Sequence, residues 1–575
     1  MAVPGVEEMP TFDARNGAEL ILGVLRRHGV EYIFCSPIAV WAPLWEALAR
    51  QRESARVESP RYLNCRHELL AVGLASGFYK ATGRPQVVLL PTGLGVLNGS
   101  MGLRTAMQER TPMTVIAPDT ATYGEVPELD PGPEWPQLLI DLAGPARDGE
   151  GCVKWAKEVK TAGGLEADLR RALYFADLVP RGPTLLSVPF DALMEPTRLS
   201  DQPRLVPNAL VSGGNSLQRV AEVLARSANP IFITEHAGRT ADGAAALLGL
   251  AEHLGAPVFE VWGPAYHNVP RSHAMYGGIE VDDALGAADC IVVAGCNAPW
   301  HPPHPGLRDD CQVLVFEEDP LRPRAAYWGY RTDLAIAGDL GPNLAALLSL
   351  VRERIPSPAL ERGRRWAERN RARREAWQAE LASPADGRAI PAATLFRALH
   401  NALPERTAIV DEIVAQLTFM LHWLFESKPF RHYRGWAGAL GTGLPTALGV
   451  KLANPSDVVV CVIGDGAFYY NPVPACFGLA QQYGLPVLVV ICNNQGFASQ
   501  EWNLAKYFPG GAAMRTQQQF GKVIAPTPEY ALLPQAFGGH GERVLNAAEL
   551  GPAIARALAA VRRGQLAVLD VLVEP

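Results

Sequence analysis

The amino-acid sequence predicts an α/β protein made of three doubly wound domains, each with a parallel sheet. Short runs rich in Val, Ile and Leu alternate with amphipathic helical patterns along the whole chain, and this alternation is typical of parallel α/β sheets. The chain has 575 residues, which at roughly 100–200 residues per domain indicates about three domains. Two irregular stretches divide it into blocks of similar size.

The apolar runs have the length and composition of strands that are buried on both faces. They lie at residues 30–34, 86–91, 113–118, 183–189, 230–234, 290–295, 312–319, 407–412, 458–466, 486–494 and 566–574. The stretches between them, such as GAELILGVLRRHG, carry helical periodicity.

The domain boundaries are predicted from composition. Residues 194–214 are rich in Pro, Ser and Gly without periodicity. Residues 351–389 contain the strongly charged segment 361–381, which predicts a solvated helix rather than a nucleic-acid contact. We therefore expect domains at residues 1–195, 205–350 and 385–575.

The composition excludes several classes of function. The chain is 48% hydrophobic and 19% charged with a formal net charge of −7, so we expect no nucleic-acid partner. No run of 18 apolar residues exists and the N-terminus lacks the apolar core of a signal peptide, so we expect no membrane span and a cytoplasmic location. The nine cysteines include no CxxC pair, which argues against zinc-ribbon and thioredoxin-like sites.

A candidate metal and phosphate site lies at the ends of two neighbouring predicted strands. One strand ends in Gly464, Asp465 and Gly466, and the next ends in NNQG, which contains Asn494 and Gly496. Carboxyl ends of parallel strands form the ligand-binding edge of open α/β sheets. Asp465, the Asn494 side chain and the Gly496 carbonyl would supply three oxygen ligands to Mg²⁺, with a diphosphate and water completing the octahedron.

A Gly-Asp-Gly turn alone is more often only a turn, but with the following Asn-Asn pair it is far more specific. Together they resemble the diphosphate-binding motif of the thiamine-diphosphate-dependent enzymes, which include acetolactate synthases, benzoylformate and pyruvate decarboxylases, and benzaldehyde lyases. The resemblance implies thiamine diphosphate and Mg²⁺ as cofactors, with Gly464, Asp465, Gly466, Ala467 and Asn494 in contact with them. The separation of 29 positions between Asp465 and Asn494 is about two longer than the family pattern, and we place the insertion in YYNPVPA.

A second segment, RHELLAVGLASGFYKATGRPQVVLL, resembles the part of the same family that binds the cofactor's aminopyrimidine ring. The resemblance makes Glu68 the carboxyl that hydrogen-bonds N1′ and so promotes formation of the reactive ylid. The alternative is that Glu68 has no catalytic role and only stabilises the helix by its charge interaction with the dipole at the helix N-terminus. The following TGLGVLNGSMGL is similar to the family's glycine-rich loop and places Asn98 at its Asn position.

The remaining cofactor contacts come from YRGWAGALGTGLPTALGVKLA, which is similar to the segment that folds the cofactor into a V. By that match Leu440 is the apolar wedge and the Gly438 carbonyl accepts from the 4′-amino group. The three predicted domains then correspond to a pyrimidine-binding, a Rossmann-like middle and a diphosphate-binding domain. The middle block has no G-x-G-x-x-G, and AGCNAPW lacks the family's FAD-associated arginine pattern, so FAD is not expected.

The substrate side of the predicted pocket is short of proton donors. Ala39 and Pro91 occupy the approximate places of an active-site Ser and His of benzoylformate decarboxylases, and Gln500 falls where pyruvate decarboxylases carry a Glu. The candidate pocket residues are Ala39, Pro91, Tyr469, Tyr470, Gln500, Glu501 and Trp502. Because aldehyde release needs protonation of the enamine, this pattern favours carboligation.

The leading hypothesis is an acetolactate-synthase-like carboligase that acts through the ylid and enamine on a 2-oxo acid or aldehyde. A decarboxylase or a 2-hydroxy ketone or acyl lyase stays open, as does a non-catalytic homologue. The resemblance also implies a homodimer or homotetramer with the active site at the subunit interface.

Overall fold

The protein is described by a computed structural model. It covers residues 14–55, 59–120, 132–134, 136, 139–261, 263–302, 305–325, 328–355, 357–381, 389–428, 430–435 and 438–574. The chain divides into two compact units, residues 1–79 with 84–207, and residues 80–83 with 208–575. Each unit is described by itself below.

The first unit contains a six-stranded parallel sheet with the strand order β2-β1-β3-β4-β6-β5. Its strands are β1 (Tyr32–Cys35), β2 (Arg61–Asn64), β3 (Val87–Leu89), β4 (Thr114–Asp119), β5 (Trp155–Glu158) and β6 (Thr184–Pro189). Its helices are α1 (Gly17–Arg27), α2 (Ala42–Ala55), α3 (Glu68–Thr82), α4 (Thr92–Gln108), α5 (Pro145–Gly149), α6 (Ala162–Asp177) and α7 (Phe190–Met194), with 3₁₀ turns at Ala39–Trp41 and Gly132–Glu134.

The second unit contains two more six-stranded parallel sheets, of which the first has the order β12-β11-β10-β7-β8-β9. Its strands are β7 (Pro230–Thr234), β8 (Val258–Phe259), β9 (Tyr276–Gly278), β10 (Cys290–Ala294), β11 (Gln312–Glu317) and β12 (Leu334–Ala337). The helices of this layer are α8 (Gly214–Arg226), α9 (Ala241–Leu254), α10 (Asp282–Leu285), α11 (Leu340–Arg354) and α12 (Leu360–Leu381), with a 3₁₀ turn at Ala237–Arg239.

The third sheet has the order β14-β13-β15-β16-β18-β17. Its strands are β13 (Thr407–Glu412), β14 (Arg431–Arg434), β15 (Val458–Gly464), β16 (Leu488–Asn493), β17 (His540–Val544) and β18 (Ala567–Leu572). Its helices are α13 (Ala392–Ala402), α14 (Leu417–Phe419), a π-helix (Met420–Leu424), α15 (Gly443–Ala453), α16 (Asp465–Tyr470), α17 (Val473–Tyr483), α18 (Ala498–Tyr507), α19 (Ala512–Thr516) and α20 (Leu550–Arg562), with 3₁₀ segments at Tyr530–Phe537 and Ala547–Glu549.

The predicted α/β fold with three parallel sheets is confirmed. In the third sheet β15 lies between β13 and β16, with Ile463 opposite Glu412 and Gly464 opposite Cys492. The apolar residues of these strands are almost fully buried on both faces, as their unbroken Val and Ile runs predict. Because the three strands are parallel, their carboxyl ends meet at one edge of the sheet, where Glu412, Asp465 and Asn494 follow.

The charged helix α12 is less solvated than its sequence indicates. Trp366 and Asn370 on one face are only 8% and 2% exposed. The Asn370 side chain donates to the Ala274 carbonyl at 2.6 Å, and Nε of Arg362 donates to the Leu254 carbonyl at 2.7 Å. Arg362, and likewise Arg373 with the Gly277 carbonyl, therefore bind backbone carbonyls of the middle layer.

Among the described residues, no helix is both long and apolar enough to span a bilayer. The residues on which the signal-peptide prediction rests, 1–13, lie outside the described part of the chain.

The contact between α12 and the end of α9 can be tested with two glycines that end helices in the left-handed conformation. Gly255 ends α9 with a φ of +56°, and an added Cβ would lie 2.5 Å from the Ala359 carbonyl oxygen and 2.6 Å from the Gly363 nitrogen. Gly484 ends α17 with a φ of +63° and has open space there. Gly484→Ala should therefore cost about 1 kcal/mol from backbone strain alone. Gly255→Ala should cost roughly 1–3 kcal/mol more because backbone atoms must move.

Thermal unfolding of the two variants measures this difference. Equal falls in Tm for Gly255→Ala and Gly484→Ala would show that the start of α12 is not in tight steric contact with the turn at Gly255.

Candidate functional site

The third sheet brings Asp465 and Asn494 together, as the sequence predicts. Asp465 is the first residue of α16, is 1% exposed, and its Oδ1 accepts from the Gly466 N–H at 2.9 Å. One of the two terminal atoms of the Asn494 side-chain amide lies 2.8 Å from the Gly496 carbonyl oxygen and 3.1 Å from Oδ1 of Asp465. The three predicted metal ligands therefore converge on one point at the edge of the sheet.

The arrangement of these oxygens fits a cation. The Asn494 amide can turn either its NH₂ group, which then donates to the Gly496 carbonyl and to Oδ1 of Asp465, or its oxygen, which could ligate a cation, toward this point. Oδ2 of Asp465 is buried and has no hydrogen-bond partner among the described residues. Burial raises the pKa of Asp465 to about 6, although the N–H groups of Gly466 and Gly496 oppose this. The residues present thus fit Mg²⁺, which prefers such hard oxygen donors.

Two glycines allow this convergence. A Cβ on Gly466 would lie 2.4 Å from the Phe497 ring, and one on Gly496 would lie 2.2 Å from the Lys522 carbonyl oxygen. Gly464, by contrast, has open space on its Cβ side, which leaves room for a phosphate to approach the start of α16. Ala467 is buried in the first turn of the same helix.

The loop that carries Asn494 is fixed by the residue before it. The Asn493 amide donates to Oδ1 of Asp570 on β18 at 2.8 Å, and its oxygen accepts from the Gln495 N–H at 3.1 Å. Gln495 has a φ of +60°, a conformation that few non-glycine residues adopt. The first asparagine of the pair therefore holds the backbone turn that aims the second.

Glu412, at the end of β13, organises the rest of this edge and was not predicted from the sequence. It is 1% exposed, and its carboxylate accepts from the backbone N–H groups of Gly441, Thr442 (3.2 Å) and Gly443 (3.1 Å) and from the Asn471 amide (2.7 Å). Burial raises the pKa of Glu412 to about 7, and these donors act against that rise. In the sequence Glu412 only ends an apolar run, so no local pattern identifies it.

Glu412 connects the segment of Leu440 to the helix of Asp465. Asn471 also donates to the Ala467 carbonyl at 2.9 Å and accepts from the Leu444 N–H at 3.1 Å. Leu440 is half-buried, and Gly438 is exposed with a φ of +82° and open space on its Cβ side. The backbone that carries both predicted cofactor contacts is therefore anchored at residues 441–443. Asn471 lies in the segment YYNPVPA, where we place the insertion, and it separates α16 from α17.

Glu68 is the centre of a polar cluster in the first unit. It begins α3, is half-buried, and accepts from the Ser36 hydroxyl at 2.9 Å and from the Asn98 amide. The structure thus brings Glu68 and Asn98, both predicted cofactor-binding residues, into direct contact. Ser36 was not predicted, because the family resemblance points to Ala39 in the same FCSPIAV segment.

The segment similar to a glycine-rich loop is helical from Thr92, the first residue of α4. Its glycines serve close helix packing, since a Cβ on Gly102 would lie 2.9 Å from side-chain atoms of Val72 and of Leu69 on α3. This packing presents Asn98 to Glu68.

The candidate substrate residues fall into two groups. Ala39 opens a 3₁₀ turn and Pro91 precedes α4, where a Cβ on Gly95 would lie 2.4 Å from its ring. Gln500, Glu501 and Trp502 lie on α18. Glu501 is held by Lys522 and by Gln519, whose amide donates to it at 3.1 Å, so it is not a free proton donor.

The three aromatic candidates are exposed in the single chain: Tyr469 and Tyr470 at 55% each, and Trp502 at 52%.

Three family models match the chain, all of the thiamine pyrophosphate enzymes. The N-terminal TPP binding domain matches residues 15–139, the central domain residues 217–347, and the C-terminal TPP binding domain residues 414–571. The chain belongs to the thiamine pyrophosphate enzyme family. Its members form or cleave C–C bonds with thiamine diphosphate, and the Glu68 and Asp465 clusters lie within the two TPP-binding matches.

Curated relatives span almost the whole chain. Benzoylformate decarboxylase of Pseudomonas aeruginosa is 27% identical over 96% of this chain and 98% of its own. The acetolactate synthase large subunit of Haemophilus influenzae is 25% identical over 97% of this chain and 94% of its own. The two relatives carry different activities, so they identify the family and not the reaction.

Among solved structures, a thiamine-diphosphate-dependent 4-hydroxybenzoylformate decarboxylase of Rhodococcus jostii superposes with a TM-score of 0.78 at 21% identity, covering 97% of this chain and 99% of its own. Benzoylformate decarboxylase of Polynucleobacter necessarius gives 0.77 at 20% identity, covering 98% and 99%. At this identity the likeness establishes the fold.

The role of Glu412 as a positioning residue predicts the effect of Glu412→Gln. The new NH₂ group would face N–H donors, so at least one hydrogen bond to a buried group is lost. We expect thiamine diphosphate to bind about tenfold more weakly in the presence of Mg²⁺, with a lower Tm. Glu405→Gln, at an exposed site just before the same strand, is the matched control. Calorimetric titration that gives wild-type affinity for Glu412→Gln would contradict the assignment.

Proposed function

We propose that this chain is a Mg²⁺- and thiamine-diphosphate-dependent carboligase that acts on a 2-oxo acid. The cofactor family supports the first part of this proposal. The second part is supported by one observation, that three of the substrate-side positions, Ala39, Pro91 and Glu501, supply no free proton donor. Ala39 and Pro91 carry none, and Glu501 is engaged by Lys522 and Gln519. A second carbonyl compound can then react where a proton would otherwise be delivered.

The residues that would hold the cofactor's diphosphate lie on the third sheet. Asp465, Asn494 and the Gly496 carbonyl would ligate Mg²⁺, with Gly464, Gly466 and Ala467 beside the phosphates. Leu440 would support the bend of the cofactor, and the Gly438 carbonyl would accept from its 4′-amino group. When bound, thiamine diphosphate supplies a carbanion that adds to a carbonyl carbon and takes up the electrons of the broken C–C bond.

Glu68 would share a proton with N1′ of the aminopyrimidine. Its two side-chain partners fix its orientation, because the Ser36 hydroxyl holds Oε1 and the Asn98 amide holds Oε2. A carboxyl that is half-buried before the cofactor binds becomes desolvated when the ring covers it, and this favours the shared proton.

The second candidate is a decarboxylase that releases aldehyde. The benzoylformate decarboxylase relative favours it, since that protein matches over 98% of its length at 27% identity. The differences at Ala39 and Pro91 from the residues expected for such enzymes make it the less favoured reaction.

We also propose that the active site forms between subunits of a homodimer or homotetramer. Two leucines on α4 beside Asn98, Leu94 and Leu97, are 66% and 51% exposed. An apolar face of this kind next to the Glu68 cluster is typical of an interface. The exposed Tyr469 and Tyr470 lie on α16, which begins with Asp465.

FAD is not part of the proposal. The carboxyl edge of the middle sheet, where a dinucleotide would bind, is filled by Arg322. Its guanidinium donates to Glu317 (2.5 Å), to the Asn297 side chain (2.5 Å) and to the Cys296 carbonyl (2.9 Å).

A mixing experiment tests the shared active site. Glu68→Gln and Asp465→Asn enzymes should each be inactive as homodimers, because one lacks the proton carrier and the other a metal ligand. After subunit exchange, half of the dimers are mixed, and each mixed dimer has one intact site if Glu68 and Asp465 of different chains cooperate. We therefore expect about one quarter of wild-type activity per dimer. No recovery despite demonstrated exchange would place both groups in one chain, and full activity of Glu68→Gln alone would indicate a different proton carrier.

Product analysis separates the two reactions. With a 2-oxo acid and an excess of an acceptor aldehyde, the wild-type enzyme should give mainly the ligated 2-hydroxy ketone. Ala39→Ser and Pro91→His together should shift the products toward free aldehyde, because they add donors that can protonate the intermediate carbon. Tyr507→Phe, at an exposed position on α18, serves as a control. Free aldehyde as the main wild-type product would establish the decarboxylase instead.

A further inference from the structure

A second polar site in the second unit is formed around Arg271 and Tyr276. Arg271 and Tyr276 are each 4% exposed. Nε of Arg271 lies 3.3 Å from Oε2 of Glu260, and the guanidinium stands 4.2 Å over the Phe425 ring. The three guanidinium nitrogens and the Tyr276 hydroxyl make no well-formed hydrogen bond among the described residues, although Arg271 interacts electrostatically with both Glu260 and Tyr276. The two buried polar groups therefore leave much of their hydrogen-bonding capacity unused.

Such unused capacity is costly unless a ligand meets it. A guanidinium offers five N–H donors, and leaving buried donors without acceptors is unfavourable. Both groups line the same niche of about 30 Å³, together with Arg374, His422 and Glu426. This space admits one or two waters or the head group of a small anion.

A larger cavity of about 310 Å³ adjoins the niche, and both share His422 and Trp423. Its lining adds apolar surface from Ile279 and Phe419, together with Arg373 and Glu280. The two cavities together have a polar end and an apolar body, which is the usual build of a small-molecule site.

The charges around the cavities limit the ligand. Three arginines, Arg271, Arg373 and Arg374, face three carboxylates, Glu260, Glu280 and Glu426. Burial lowers the pKa of His422 to about 3, so this side chain is neutral at physiological pH. A polyanion would be repelled by the carboxylates, whereas a single carboxylate fits a guanidinium fork beside a phenol.

We propose that this cleft binds a monocarboxylate with an apolar body, with its carboxylate on Arg271, Arg374 and Tyr276 and its body against Trp423 and Phe419. The ligand would contact the π-helix at Met420–Leu424 through His422 and Trp423. π-Helices are rare and frequent at functional sites. This binding proposal does not rest on the proposed function.

Calorimetric titration of the enzyme saturated with thiamine diphosphate and Mg²⁺ tests the proposal, with benzoate, acetate, phenyl phosphate and inorganic phosphate as probes. Benzoate should bind, acetate should bind more weakly for want of an apolar body, and the two phosphates should bind least. Arg374→Met should weaken benzoate about tenfold, and Arg271→Lys should do the same because it loses the planar fork. Arg371→Met, at an exposed position on the same helix as Arg374, should leave affinity unchanged.

Two results would overturn the proposal. Heat signals absent for all four probes would mean that water satisfies Arg271 and Tyr276. Benzoate affinity that is equal in Arg374→Met, Arg271→Lys and Arg371→Met would place the acid elsewhere, including the catalytic pocket. The titration needs no turnover, so an enzyme inactive as a carboligase leaves this test intact.

Discussion

The buried carboxylate of Glu412 constrains the whole cofactor edge of the third sheet. A charge in a protein interior must be met by hydrogen bonds or an opposite charge. Glu412 meets this requirement with three backbone N–H groups of residues 441–443 and the Asn471 amide. The loop after Leu440 and the short connection between α16 and α17 can therefore take few other conformations. Two segments that would touch opposite parts of the cofactor are tied to one side chain at the end of β13.

Asp465, at the end of the neighbouring strand, has the opposite character. Its Oδ1 has a backbone donor, but Oδ2 has no partner among the described residues, and the Asn494 amide and Gly496 carbonyl bring further oxygens to it. Glu412 is thus satisfied by the chain itself, whereas the Asp465 cluster keeps one carboxylate oxygen, Oδ2, without a partner among the described residues and can offer it to a cation. This contrast explains why one buried carboxylate shapes the fold and the other is suited to bind a metal. Proximity alone would not distinguish them.

The sequence predicts those features that depend on strand order and misses those that depend on packing. Apolar runs locate β15 and β16, and parallel strands bring their ends together, so the pairing of Asp465 with Asn494 could be foreseen. Ser36, Glu412 and Asn471 could not, because each acts through a partner at least 30 residues away in sequence and no local spacing marks it. The burial of one face of α12 could not be predicted for a related reason, because Arg362 binds a carbonyl that only the folded middle layer presents. Family resemblance directed attention to Ala39, three residues from the hydroxyl that contacts Glu68.

Each half of the candidate site is complete in its own unit before any cofactor is considered. Glu68 is already oriented by Ser36 and Asn98, and the oxygens for the metal already converge at Asp465. Such preorganisation removes the cost of ordering side chains when the cofactor binds. Under the proposed function neither half would perform chemistry alone, because the proposed proton carrier and the proposed metal ligands lie on different sheets. The exposed Leu94 and Leu97 beside Asn98 would gain from burial at about 25 cal/mol per Å², so subunit association and assembly of the active site would share one driving force.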